Sequence, residues 1–100
     1  MIHKGCTEIH GFKFPYDASD VESLYITYKQ NGETIVEKTL DDCTFDDGVV
    51  SVNLSQEDTL KFHDDEIVKV QIRVKFTNGK ATKSNIMETY TDNILKDGVI

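Results

Sequence analysis

The stretch Glu66-Ile67-Val68-Lys69-Val70-Gln71-Ile72-Arg73-Val74-Lys75-Phe76, followed by Thr77-Asn78-Gly79-Lys80, decides the fold. Val68, Val70, Ile72, Val74 and Phe76 fall on one parity, and Lys69, Gln71, Arg73 and Lys75 fall on the other. Successive side chains of a strand point to opposite faces, so a period of two describes a strand with one dry and one wet face. Asn-Gly supplies the positive φ angles of a tight hairpin turn, which predicts a return strand from about Ala81 into Tyr90.

The same grammar extends toward the N-terminus. Leu24, Ile26 and Tyr28 alternate with Tyr25, Thr27 and Lys29, and Asn31-Gly32 turns the chain into a strand from Glu33 to Leu40. Cys43 to Phe45, Asp46-Asp47-Gly48 and Val49 to Leu54 read as a third hairpin, with Val50, Val52 and Leu54 on one face. An opening strand, about Glu8 to Phe14, carries Ile9 out of phase with Phe12 and Phe14. Gly11 between them predicts a bulge that resets the phase. Pro15 closes that strand.

One segment departs from this pattern. Ser55 is a helix N-cap candidate with Asp58 at the capping-box distance, which predicts one helical turn near residues 55–60 that drops Leu60 onto the core. About seven short strands at regular spacing predict a single all-β domain over residues 1–100. The long connection from Ser55 to Glu66 suits a crossover between sheets and favours an immunoglobulin-like antiparallel β-sandwich. Residues 92–100 read as a last strand end or a C-terminal arm.

Composition limits function. With 38% hydrophobic and 29% charged residues in 100, the core is expected to be thin. A net charge of −7 and a pI near 4.8 argue against nucleic acid and anionic membrane surfaces, both of which call for a basic face. No apolar run reaches the length of a membrane span, and Met1 to Cys6 has no apolar stretch of a signal peptide. Cys6 and Cys43 are expected to be free thiols, Cys43 as a small core side chain and Cys6 near an edge.

Catalysis is not expected. His3, His10 and His63 stand at no spacing that marks a nucleophile motif. The one arrangement worth naming is Cys6 with His10 on one strand face, for which nothing supplies an orienting third group. The carboxylates at Asp41-Asp42, Asp46-Asp47 and Asp64-Asp65-Glu66 are read as solvated loop tips rather than a calcium site, because none matches the calcium-loop spacing. No metal and no cofactor is expected.

Contact surfaces are the remaining candidates. Tyr25 offers broad amphipathic area, and Arg73 lies in a basic row on an acidic chain. Ile94, Leu95, Val99 and Ile100 are apolar where chain ends are normally polar, which marks a contact site on the sandwich or on another subunit.

Four stretches carry a resemblance. Met1-Ile2-His3-Lys4-Gly5-Cys6-Thr7, Ile26-Thr27-Tyr28-Lys29-Gln30-Asn31-Gly32, Leu54 to Phe62 and Val70-Gln71-Ile72-Arg73-Val74 look like small proteins encoded by phages and prophages of Firmicute bacteria. Such proteins resemble the N-terminal sandwich of phage upper-baseplate proteins. The resemblance implies a virion component that contacts other tail or baseplate proteins in several copies, assembled in the host cytoplasm. It implies no catalytic residue. A glycan- or receptor-binding module and an acidic phage protein that binds a host protein are the competing expectations.

Overall fold

The computed structural model describes every residue from Met1 to Ile100. The strands are β1 (Glu8–Lys13), β2 (Val21–Gln30), β3 (Glu33–Thr39), β4 (Cys43–Asp46), β5 (Val49–Leu54), β6 (Ile67–Phe76), β7 (Ala81–Lys83) and β8 (Met87–Tyr90), with one helical turn, α1 (Gln56–Leu60). They form two antiparallel sheets, ordered β1-β5-β4 and β3-β2-β6-β7, with β8 also pairing β6. That is the strand order of an immunoglobulin sandwich: β1, β5 and β4 take the places of strands B, E and D. β3, β2, β6 and the β7–β8 pair take those of C′, C, F and G. No strand occupies the place of strand A beside β1. Instead Ile2 makes a parallel bridge to Thr91, just beyond β8.

The decisive stretch behaves as its periodicity requires. Val68, Val70, Ile72 and Val74 are buried, and Lys69, Arg73 and Lys75 are exposed. Leu24, Ile26 and Tyr28 of β2 pack beside them, and Val50, Val52 and Leu54 of β5 face them from the other sheet. Only 18 of 100 residues are buried, so the core is thin and rests on the alternating faces of β2, β5 and β6.

Four details differ from the sequence reading. The first is the strand returning from β6, which is broken into β7 and β8. Ser84 N–H donates to Ile72 O (2.9 Å), Ile72 N–H donates to Ser84 Oγ (3.0 Å) and Gln71 Nε2 donates to Ser84 O (3.0 Å). Side-chain bonds thus replace part of the regular ladder. The second is the turn. Phe76 N–H donates to Lys80 O (2.8 Å), and only Gly79 of the Asn-Gly pair has positive φ (87°), whereas Asn31 and Gly32 both do (50° and 78°). The 31–32 turn is therefore the tight primed type, and the 78–79 turn is a longer loop with one left-handed residue.

The third is β1, which pairs β5 in continuous register from Glu8–Leu54 to Lys13–Val49, with no bulge at Gly11. Ile9 simply points to solvent, 74% exposed. The register shifts fall in β2 instead, at Val21/Ser23 and Tyr28/Lys29. The fourth is α1. Ser55 and Asp58 form the expected capping box, but Thr59 and Phe62 go into the core while Leu60 stays half-buried.

Asp58 also ties α1 to β3, because Lys38 Nζ donates to its Oδ2 at 2.8 Å. Burial pushes the Asp58 carboxyl up, but hydrogen bonds from Lys38 and from the Ser55 N–H outweigh it and leave it below 3.8. A carboxyl lowered in the fold stabilises above its unfolded value, and that contribution is lost as pH falls through the lowered one. The contribution of Asp58 is therefore expected to be present in full above about pH 4 and to be lost below it. Asp58→Asn is expected to flatten the acid limb, as followed by urea melts at successive pH values; an unchanged limb would remove Asp58 from the account.

Candidate interaction surface

The outer face of the five-stranded sheet is built from the wet parity of β2, β3, β6, β7 and β8. Register sets its rows. Tyr25 lies directly across from Arg73, and Arg73 directly across from Lys83. One row further, Thr27 lies across from Glu37 and Gln71, and the Thr27 hydroxyl donates to Glu37 Oε2 at 3.0 Å. Beyond that, Lys29 faces Lys69, and Lys69 faces Glu88. The rows line a concave groove of about 900 Å³, whose floor is β2 and β6 and whose apolar points are Tyr25, Ile67 and Ile86. These three are 44%, 53% and 59% exposed.

Electrostatically the face is basic on an acidic chain. Lys29, Lys69, Arg73 and Lys83 have no carboxylate within 4.0 Å, whereas Lys75 pairs with Glu22 at 3.8 Å. Lys29 directly opposite Lys69 is a cross-strand like-charge pair, an arrangement that costs stability in an isolated sheet.

The candidate contact residues fall in two places. Tyr25 and Arg73 are brought together at one end of this groove. The C-terminal residues are not part of it. Ile94 is half-buried and lies over Gly5, where an added Cβ would come within 2.5 Å of Ile94 Cδ1. Leu95, Val99 and Ile100 are 105%, 58% and 90% exposed, and the tail is held by Ile100 N–H donating to Gln56 Oε1 (2.9 Å). Ile2, at the other end of the chain, is core.

Comparison with family models, with curated proteins and with solved structures finds no match.

Two interior polar networks escaped the sequence reading. Gln30 is buried at the end of β2, where its Oε1 accepts from His63 N–H (2.6 Å) and its Nε2 donates to His63 O (3.1 Å) and Thr91 Oγ1 (3.2 Å). Together with Thr91 it closes one end of the sandwich. The signal was present: Gln30 shares parity with Leu24, Ile26 and Tyr28. The second network joins the sheets. His10 Nδ1 lies 2.7 Å from the Tyr28 hydroxyl, and His10 Nε2 lies 2.8 Å from Glu8 Oε1. Burial, with the nearby Cys43 and Glu8 groups adding to it, pushes the Tyr28 hydroxyl well above its usual value of 10.0.

These contacts also correct the Cys6–His10 pairing. Both ring nitrogens of His10 are engaged elsewhere, and Cys6 lies exposed outside the strand. Cys43 is half-buried against the core, and burial and the Asp42 carboxylate raise its thiol above 9.0 although Lys38 pulls it down. Both thiols are free. Reducing agent is therefore expected to leave the melting temperature unchanged, and a thiol reagent to label Cys6 before Cys43, because the thiolate is the reactive form. A melting temperature that falls on reduction would contradict this. No three His, Cys, Asp or Glu side chains converge as a metal cage, and no helix is long and apolar enough to cross a membrane.

Proposed function

We propose that the chain is a non-enzymatic contact module, a structural component of a phage tail or baseplate present in several copies, and that the outer face of the five-stranded sheet is its docking surface. The observation carrying this reading is Tyr25 directly across from Arg73, both exposed, in a groove with Ile67 and Ile86. Tyrosine and arginine are enriched at protein interfaces because each combines large contact area with directed polar groups. Unpaired cations in that groove favour a partner that brings carboxylates. The tail or baseplate assignment is supported by the sequence resemblance.

The test is to induce particles from a lysogen encoding the tagged protein and to separate them on a density gradient. The protein is expected to sediment with tails, in more than one copy per particle, and Arg73→Glu is expected to reduce its incorporation. Recovery of the wild-type protein entirely in the soluble fraction would overturn the reading.

A further inference from the structure

We propose that the docking face takes the β4 edge of a second copy of this chain, so that copies join head to tail. This rests on the functional reading above and names one partner for the same face. A face-to-face contact between two copies is disfavoured, because an isologous interface sets the same patch against itself and would bring Lys29, Lys69 and Arg73 of one copy against those of the other, with only Glu37 and Glu88 to offset them. The partner surface must differ from the face and carry the opposite charge.

The chain supplies such a surface. β4 is one of the two edges of the three-stranded sheet, β1 being the other. Asp42 immediately precedes it, Asp46 is its last residue, and Thr44 stands between them, all three exposed. Neither aspartate has a cation within 4.0 Å. On β6 the same alternation reads Lys69, Gln71, Arg73. Asp42 ends a 3-10 turn and its Oδ2 accepts from Thr39 N–H (2.9 Å), so the alternation that matches is Thr44 and Asp46 against Gln71 and Arg73, roughly 7 Å apart on each strand at the strand rise. An edge laid along β6 in that register sets Asp46 against Arg73 and the Thr44 hydroxyl against the Gln71 amide, with the Asp42 turn toward Lys69. The concave groove admits an edge, while a flat sheet would span it.

Contacts of this kind are heterologous and repeat, building rings or filaments according to the rotation between copies. At about 0.15 M salt the screening length is about 8 Å, so the charges in contact act while the remaining negative charge of the two copies is largely screened.

The experiment is sedimentation velocity on three proteins: wild type, a face variant (Lys69→Ala with Arg73→Ala) and an edge variant (Thr44→Lys with Asp46→Lys), each checked for fold by circular dichroism. At about 0.15 M salt wild type is expected to form concentration-dependent species larger than dimers, and at about 1 M salt to return to monomer. Each variant alone is expected to associate roughly tenfold more weakly or worse. Mixed in equal amounts they restore a single heterodimer that grows no further, because only one complementary pair of surfaces remains. Wild type that stays monomeric at about 1 mM, where millimolar affinity would already show, overturns the proposal, as does a variant that self-associates like wild type or a mixture with no heterodimer. The wild-type salt dependence stands as a test even if a variant fails to fold. Incorporation into particles by a chain that is monomeric in solution would sink this inference and spare the functional reading; self-association without incorporation would do the reverse.

Discussion

Phe62→Ala is expected to destabilise the protein by about 3–5 kcal/mol, the largest effect of any single truncation considered. Phe62 is 1% exposed and meets Tyr28 edge-to-face, ring centroids 5.9 Å apart at 74°. It lies beyond α1, where the chain crosses between the sheets, and it seals the core at that crossing. Removing the ring leaves a cavity that two twisted sheets close poorly, and it strips one face of Tyr28, whose hydroxyl is held by His10. For a domain of this size, 1 kcal/mol moves the melting temperature by about 4–8 °C, so a drop of more than 10 °C is expected in a thermal melt. A shift within a few degrees would mean that Phe62 is not the plug.

Ile72→Ala is expected to cost about 2–5 kcal/mol. Ile72 is 5% exposed in the middle of β6 and lies across from Ile26, itself 0% exposed. The loss is expected to appear as a lower urea midpoint with little change in slope, because truncation alters stability more than the surface exposed on unfolding. Lys69→Ala, on the wet face of the same strand, is the control and is expected to fall within about 0.5 kcal/mol of wild type. Equal effects at the two positions would contradict the burial pattern.

These two residues also mark what the sequence made legible. Ile72 was placed by parity alone, because a strand buried on one face must alternate and a slip by one residue would wet the whole row. Leu24, Ile26, Tyr28, Val50, Val52 and Leu54 followed from the same rule, and tight turns at Asn31-Gly32 and Asp47-Gly48 fixed the pairing. Phe62 has no such frame. After the single turn of α1 neither a period of two nor one of 3.6 applies, so the sequence marks the helical turn but puts Leu60 on the core, where the structure buries Phe62 and leaves Leu60 half-buried. The break at Ser84 was equally hidden, since it depends on side-chain bonds to the Gln71 and Ile72 segment of β6.

The proposed docking face was half legible. Alternation put Tyr25 and Arg73 on wet faces of two strands. That they lie directly opposite depends on the register between β2 and β6, which the bulge at Val21/Ser23 helps to set. The apolar tail was visible as composition, but composition does not distinguish Ile94, packed over Gly5, from Leu95 beside it, fully exposed.

The most direct test of a docking face on the five-stranded sheet is site-specific photo-cross-linking in assembled particles. A photoreactive amino acid at position 71, in the groove, is compared with one at position 53, on the outer face of the three-stranded sheet. Gln71 and Asn53 both lie in central strands, so the comparison isolates the face. Position 71 is expected to give a covalent adduct to another tail or baseplate protein or to a second copy of this chain, and position 53, one residue beyond the Cys43–Val52 pair beside the β4 edge, to give none except with a second copy. Adducts from position 53 with none from position 71 would contradict the docking face.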